Sequence, residues 1–199
     1  MRGPVDRITE RLPERYRTAA DWVITIALAI AAVFLIKAFV INPYKIPSAS
    51  MEPTFHCARP GPYCEAGTND RIIANRLALH FRSPKRGDII VFNPPAAAIA
   101  CGAVGAYVKR VIGLPGDTIE ERDGDIYIDG RKLDEPYIGT GRRDNGSFAP
   151  QKLGPDEYFM MGDNRAHSCD SRVWGPIHRS AMIGTVLMVY WPLSRIGFR

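Results

Sequence analysis

This chain of 199 residues has no run of like charges, and its formal excess of +5 is scattered. A basic arm for nucleic acid is therefore not expected, and lipid headgroups account more simply for a modest excess beside an apolar segment. Histidine is scarce, with four residues, and neither a paired histidine nor a close Cys-x-x-Cys occurs. Those absences argue against zinc. Asp117, Asp123, Asp125 and Asp129 do not have the spacing of an EF-hand loop, and turn chemistry explains them better. No metal or cofactor is expected. Internal repeats are absent, and the length suits one globular domain with a real core.

One long apolar run is present, at residues 22–41. As a helix it reaches about 30 Å, the thickness of a bilayer's hydrocarbon core. Lys37 is its single charge and lies near the far end, where it can snorkel; Trp22 suits the near interface. A cleaved signal peptide would need a shorter run and a small-residue cleavage site, and here Asn42-Pro43-Tyr44-Lys45 follows. The run is expected to be a transmembrane anchor. Arg2, Arg7, Arg11, Arg15 and Arg17 precede it, whereas Lys45 and Arg59 follow. That imbalance puts residues 1–21 in the cytoplasm and residues 42–199 outside.

The four cysteines, Cys57, Cys64, Cys101 and Cys169, fit an oxidising exterior. Cys57 and Cys64 flank a short loop that a disulfide could close, yet three connectivities remain open.

The exported part reads as β structure. Ile89-Ile90-Val91-Phe92 is an apolar strand stopped by Asn93-Pro94-Pro95. Residues 106–112 form a second strand, and Gly113-Leu114-Pro115-Gly116-Asp117 turns the chain. Residues 125–130 alternate and end in a turn pair, a hairpin signal. Residues 157–161 and 184–191 are further strands. Weak helical character is confined to residues 77–81 and 179–182, and residues 139–150 are the most loop-like. The fold class is mainly β, an antiparallel β-sheet domain preceded by one N-terminal transmembrane helix.

Ser50 and Lys109 are the residues with chemical interest. A serine hydroxyl needs a base to become a nucleophile. Lysine serves only when neutral, and its reference pKa of about 10.4 keeps it protonated at pH 7. Burial among apolar groups lowers that value. Lys109 lies in a strand beside Val108 and Val111, so alternation could turn it into an apolar pocket and leave Arg110 pointing to solvent.

Four segments surround these residues, in this order after the anchor: Ser48-Ala49-Ser50-Met51-Glu52-Pro53-Thr54; Arg86-Gly87-Asp88-Ile89-Ile90-Val91-Phe92; Tyr107-Val108-Lys109-Arg110-Val111-Ile112-Gly113-Leu114-Pro115-Gly116-Asp117; and Met161-Gly162-Asp163-Asn164-Arg165-Ala166-His167-Ser168-Cys169-Asp170-Ser171-Arg172. Together they resemble the type I (leader) signal peptidases, over residues 42–191. The resemblance implies a serine endopeptidase that removes signal peptides from exported preproteins at the cell membrane. It implies Ser50 as nucleophile, Lys109 as general base, and Ser48 with the Ser50 backbone N–H as oxyanion hole. Ser168 matches the serine that orients the lysine amine. Asp170 and Arg172 match a supporting charged pair, and Asp163, Asn164 and Arg165 the rest of that box. Met51 would pack behind the nucleophile. Residues 117–158 correspond to a reduced, non-catalytic β insertion.

The box departs at Ala166-His167, where the family usually reads Asp-Asn. In some relatives a histidine replaces the strand lysine. Here Lys109 is intact, so His167 is read as a loop residue. His56, His80 and His178 have no partner legible in the sequence.

The family prefers small residues, typically Ala, one and three positions before the cut. Ile46, Pro47 and Ser48, with Ala106, Tyr107 and Val108, are expected to build the shallow pockets for them and to pair with an extended peptide. Ser50 can lie no more than about 30 Å from the end of the anchor, within reach of a membrane-held substrate. Trp191, Leu193, Ile196 and Phe198 fit either the lipid surface or the core. Two other readings are a relative of the self-cleaving Ser/Lys repressors, which carry a DNA-binding domain where this chain has an anchor, and a tethered β module that binds extended peptides without cutting them.

Overall fold

A computed structural model describes residues 13–39, 41–102 and 105–199. Arg2, Arg7 and Arg11, invoked for orientation, lie outside the described residues, as does Val40 of the expected anchor. The chain divides into two compact units, Met1–Ile41 and Asn42–Arg199.

In the first unit a helix spans Glu14–Phe39. Pro13 stands just before it and accepts from Tyr16 N–H at 2.9 Å, a position where proline's missing donor costs nothing. No glycine or proline interrupts the helix, which at 26 residues reaches about 39 Å. Its stretch Arg15–Phe34 is long and apolar enough to cross a membrane, and none of it is buried inside the protein. The helix starts before the run read from the sequence. It also stops before it, because Ile41 already belongs to strand β1, Ile41–Lys45.

The second unit is mainly antiparallel β. The large sheet has the order β1, β2 (Arg71–Asn75), β11 (Met182–Trp191), β3 (Ile89–Phe92), β4 (Tyr107–Gly113), β9 (Glu157–Met161) and β10 (Ile177–His178). A short β12, Gly197–Phe198, pairs with β11. A smaller sheet of four strands runs β7 (Arg131–Lys132), β6 (Asp125–Ile128), β5 (Thr118–Arg122) and β8 (Phe148–Lys152). Its hairpin turns at Asp123-Gly124 and Asp129-Gly130 place both residues at positive φ, the conformation that matches a tight hairpin's twist.

Residues 148–150, expected in a loop, open β8 instead. The strand lies at an edge of the small sheet and is largely exposed, which is where a proline such as Pro150 can stand in a strand. The helical signals at residues 77–81 and 179–182 resolve to single turns, Ala78–Phe81 and Arg179–Ala181.

Both faces of β4 are covered. Ile90, Phe92, Val111, Tyr158, Met160 and Trp174 form one apolar cluster. Ile112, Phe159 and Met161 join Ile119, Ile126 and Leu153 of the small-sheet region in another. A third cluster gathers Ile46, Met51, Phe55, Ile72, Val91 and Val189. Trp191, Leu193, Ile196 and Phe198 are exposed, the last two by 53% and 75%.

Candidate active site

Strand β4 pairs with β3 through Ile90↔Lys109 and Val91↔Val108. Cross-strand partners share a face, so Lys109 lies on the side of Ile90 and Val111. It is 3% exposed. Among the described residues its Nζ forms no hydrogen bond or ion pair, and the Tyr107 ring lies 5.7 Å away. Burial favours the uncharged amine and lowers its pKa to about 8; the Asp170 and Asp163 charges oppose that shift and Arg172 adds to it.

Arg110, expected in solvent, is 9% exposed. The opposite face of β4 is covered as well, so a charge there needs partners. Arg110 Nε and Nη2 donate to the Asp163 carboxylate at 2.8 and 2.6 Å, Nη1 donates to Gly87 O at 2.8 Å, and the guanidinium lies over the Tyr137 ring at 4.0 Å.

Ser50 stands on a 3-10 turn, Ala49–Met51, three residues beyond the end of β1. Ala49 and Met51 are buried on either side of it, with Met51 in the core cluster, so Ser50 is left half-exposed. Ser48 precedes the turn without capping it, and its Oγ lies 3.3 Å from Ser50 Oγ. Asn164 clamps this turn from the box: its N–H donates to Ser50 O at 3.1 Å and its Nδ2 to Ala49 O at 3.0 Å.

Gly162 brings the parts together. The pairing Arg110↔Met161, continued one step, puts it opposite Lys109. A Cβ at Gly162 would overlap Ser168 Oγ and the Ser50 carbonyl oxygen. Ser168 Oγ is sealed from solvent. It sits close enough to lower the Asp170 pKa without meeting full hydrogen-bond geometry, and it makes no hydrogen bond to Lys109. Asp170 accepts from Gly162 N–H at 3.1 Å and from Arg172 Nε at 2.8 Å. Burial raises the pKa of Asp170, but the bonded Arg172 and the Lys109 charge outweigh it and leave the carboxyl below its usual range.

This layer extends into the small-sheet region. Arg172 Nη1 reaches Asp144 at 2.5 Å and Glu121 at 3.5 Å. Arg165 pairs with Glu135, both fully buried. Burial pushes the Glu121 carboxyl up, against the pull of Arg172. The region read as a non-catalytic insertion thus supplies three carboxylates, Glu121, Glu135 and Asp144, to the arginines of the box. Neither those contacts nor the roles of Gly162 and Asn164 have a signature in local sequence pattern.

Ile46, Pro47, Ser48, Ser50, Ala106, Tyr107, Val108 and Lys109 all line one cleft of about 560 Å³, with Cys101, Gly102, His167 and Cys169 among the other walls. Ser168, Asp170 and Arg172 are not in its lining. Disulfides join Cys57 to Cys64 and Cys101 to Cys169. His167 stacks on Tyr63 with ring centroids 3.5 Å apart. The other histidines have partners that the sequence did not reveal: His56 pairs with buried Glu52, His80 Nδ1 lies 3.2 Å from Arg76 O, and His178 lies 3.9 Å from Asp156. Glu52, His56 and Glu65 have ligand-type atoms near one another. Glu52 already accepts from Cys57 N–H at 3.1 Å, and Glu65 is paired with Arg142.

A half-exposed serine and a buried lysine thus share a cleft on an antiparallel β-sheet. Comparison with known proteins is more specific. The family described as signal peptidase, peptidase S26, matches residues 19–191. A probable signal peptidase I-2 of Synechocystis is 37% identical over 87% of this chain and 73% of its own length. Signal peptidase I of Leptolyngbya laminosa is 37% identical over 87% and 80%. Signal peptidase I P of Bacillus subtilis subsp. natto is 34% identical over 88% and 91%. A solved signal peptidase I from Enterococcus faecalis is 33% identical and covers 52% of this chain and 97% of its own, with a TM-score of 0.43. The chain belongs to the signal peptidase family, peptidase S26.

Proposed function

We propose that this protein is a membrane-bound endopeptidase that removes N-terminal signal peptides from exported preproteins, with Ser50 as nucleophile and neutral Lys109 as general base. The observation that carries the reading is a buried lysine amine, lowered to about 8 and without a hydrogen bond among the described residues, in the lining of the cleft that holds Ser50. At pH 7 about a tenth of such an amine is neutral, against about one part in three thousand at the reference value.

In this mechanism Ser50 Oγ attacks the scissile carbonyl carbon and its proton passes to Lys109 Nζ. The oxyanion is held by Ser50 N–H and Ser48 Oγ; the 3.3 Å between the two hydroxyl oxygens supports that pairing. Lys109 then gives the proton to the departing amine, and water, activated by the regenerated amine, hydrolyses the acyl-serine. Ser168 orients the amine, and the Asp170–Arg172 pair fixes the segment that carries it. The peptide lies extended along Ile46 and Pro47 on one side and residues 106–108 on the other, with small side chains before the cut.

Residues 22–41 anchor the chain in the plasma membrane, with residues 1–21 cytoplasmic and residues 42–199 outside. The apolar helix surface and the exposed Leu193, Ile196 and Phe198 support contact with lipid. The test is cleavage of a preprotein bearing an Ala-x-Ala site by the full chain in vesicles. Wild type cuts it; Ser50→Ala and Lys109→Ala do not. Cleavage surviving Ser50→Ala defeats the mechanism.

A further inference from the structure

The Cys101–Cys169 bond joins two walls of the cleft that are far apart in sequence. Their other attachments differ greatly. Cys169 lies between Ser168 and Asp170, and Asp170 is held independently by Gly162 N–H and Arg172. Cys101 ends a 3-10 stretch, Ala96–Cys101, that Gly102 closes at φ +72°. In residues 93–102 only Ala98 is buried, and Ile99 is 70% exposed. Backbone bonds there are local, such as Ala98 N–H to Pro95 O and Gly102 N–H to Ile99 O, apart from Asn93 N–H to Ala181 O. Among the described residues, this wall is held from outside its own turn by the buried Ala98 methyl group, by its contact with the turn Ser171–Trp174, and by the disulfide. Ser50 and Lys109 are held elsewhere, by Asn164 and by β4.

We propose that the Cys101–Cys169 disulfide determines specificity: it pins residues 96–102 as a fixed wall, so that the cleft accepts small side chains and turns away larger ones. This rests on the peptidase reading above. A site of fixed size gains its selectivity from having no room for extra methylenes, a discrimination of roughly 10- to 200-fold per group. Releasing the wall enlarges the cleft and leaves the reacting groups in position.

The experiment compares kcat/KM for two preproteins, with Ala or Leu immediately before the cut, using the full chain in vesicles. Cys101→Ala/Cys169→Ala is expected to lower the Ala-to-Leu ratio about tenfold through a rise on the Leu substrate. A merely structural bond would lower both rates in parallel, and that result, or an unchanged ratio, overturns the proposal. If the variant does not fold, wild type is treated with a trialkylphosphine. With one water, the phosphine reduces the S–S bond to two thiols and becomes the phosphine oxide. The ratio should fall on reduction, with thiols confirmed by mass, and should stay at the oxidised value in untreated Cys57→Ala/Cys64→Ala; a ratio indifferent to reduction again overturns it. Ser50→Ala is run alongside: cleavage that survives it brings down the peptidase reading itself, whereas Ser50-dependent cleavage with an unchanged ratio rejects only the role of the disulfide.

Discussion

Asn164 holds the backbone of Ser50. Its N–H donates to the Ser50 carbonyl oxygen at 3.1 Å, and its Nδ2 fixes the preceding carbonyl, Ala49 O, at 3.0 Å. The two bonds orient the turn that carries the hydroxyl, from a residue far along the chain. Asn164→Ala deletes the second bond and leaves a buried carbonyl without its donor, which costs about 1–3 kcal/mol. Cleavage kinetics should show kcat reduced by ten- to a hundredfold with KM little changed, because the reacting atom is misplaced while the cleft walls remain.

Gly162 tolerates no side chain. A methyl group there would overlap Ser168 Oγ and Ser50 O together, and backbone and a packed hydroxyl yield poorly. Gly162→Ala should cost roughly 1–3 kcal/mol of stability by overpacking. Activity should fall about a hundredfold or more, since a shift near 1 Å at reacting groups has that effect. Thermal unfolding and preprotein cleavage measured on one sample separate the two losses.

Lys109 should weaken the fold at neutral pH. Its folded pKa of about 8 lies below the unfolded value of 10.5. Between those values the unfolded chain binds more protons, so stability rises with pH across that window and the full penalty is carried below pH 8. The penalty is on the order of 3 kcal/mol. Lys109→Met should therefore be more stable than wild type at pH 7, with the gain fading as pH approaches 10.5. Chemical denaturation at several pH values measures this; a gain independent of pH would point to packing alone.

Glu135 should matter more than a surface carboxylate. It and Arg165 are both fully buried, and it also meets Arg143 at 3.2 Å and Tyr137 Oη at 2.9 Å. Glu135→Ala strands a buried guanidinium, a change that costs about 3–5 kcal/mol. A lower melting temperature, with loss of activity following unfolding, is the expected outcome.

The strands with the longest apolar runs were legible. β3, β4, β9 and β11 stand within a residue or two of where periodicity puts them, because each is buried and stopped by Pro, Gly or Asp. The short edge strands β8, β10 and β12 were not, since an exposed edge carries little apolar signal. Lys109's burial followed from alternation, but the burial of Arg110 did not. Alternation assumes one wet face, and β4 is covered on both. The segments around Ser50 and Lys109 could be read as a resemblance. Asn164 came with the resemblance as part of the box, but its two bonds to the Ser50 turn, and the contacts of Gly162, Glu135 and Asp144, could not be read, because they arise from tertiary proximity that no local pattern encodes.

The mechanism requires a Lys109 amine that gives up its proton far more readily than an ordinary lysine. The most direct measurement is a nuclear magnetic resonance titration of the Lys109 side chain, isotope-labelled, in the Ser50→Ala full chain in detergent. A midpoint near 8 is expected. A midpoint at the ordinary lysine value near 10.5 would contradict it.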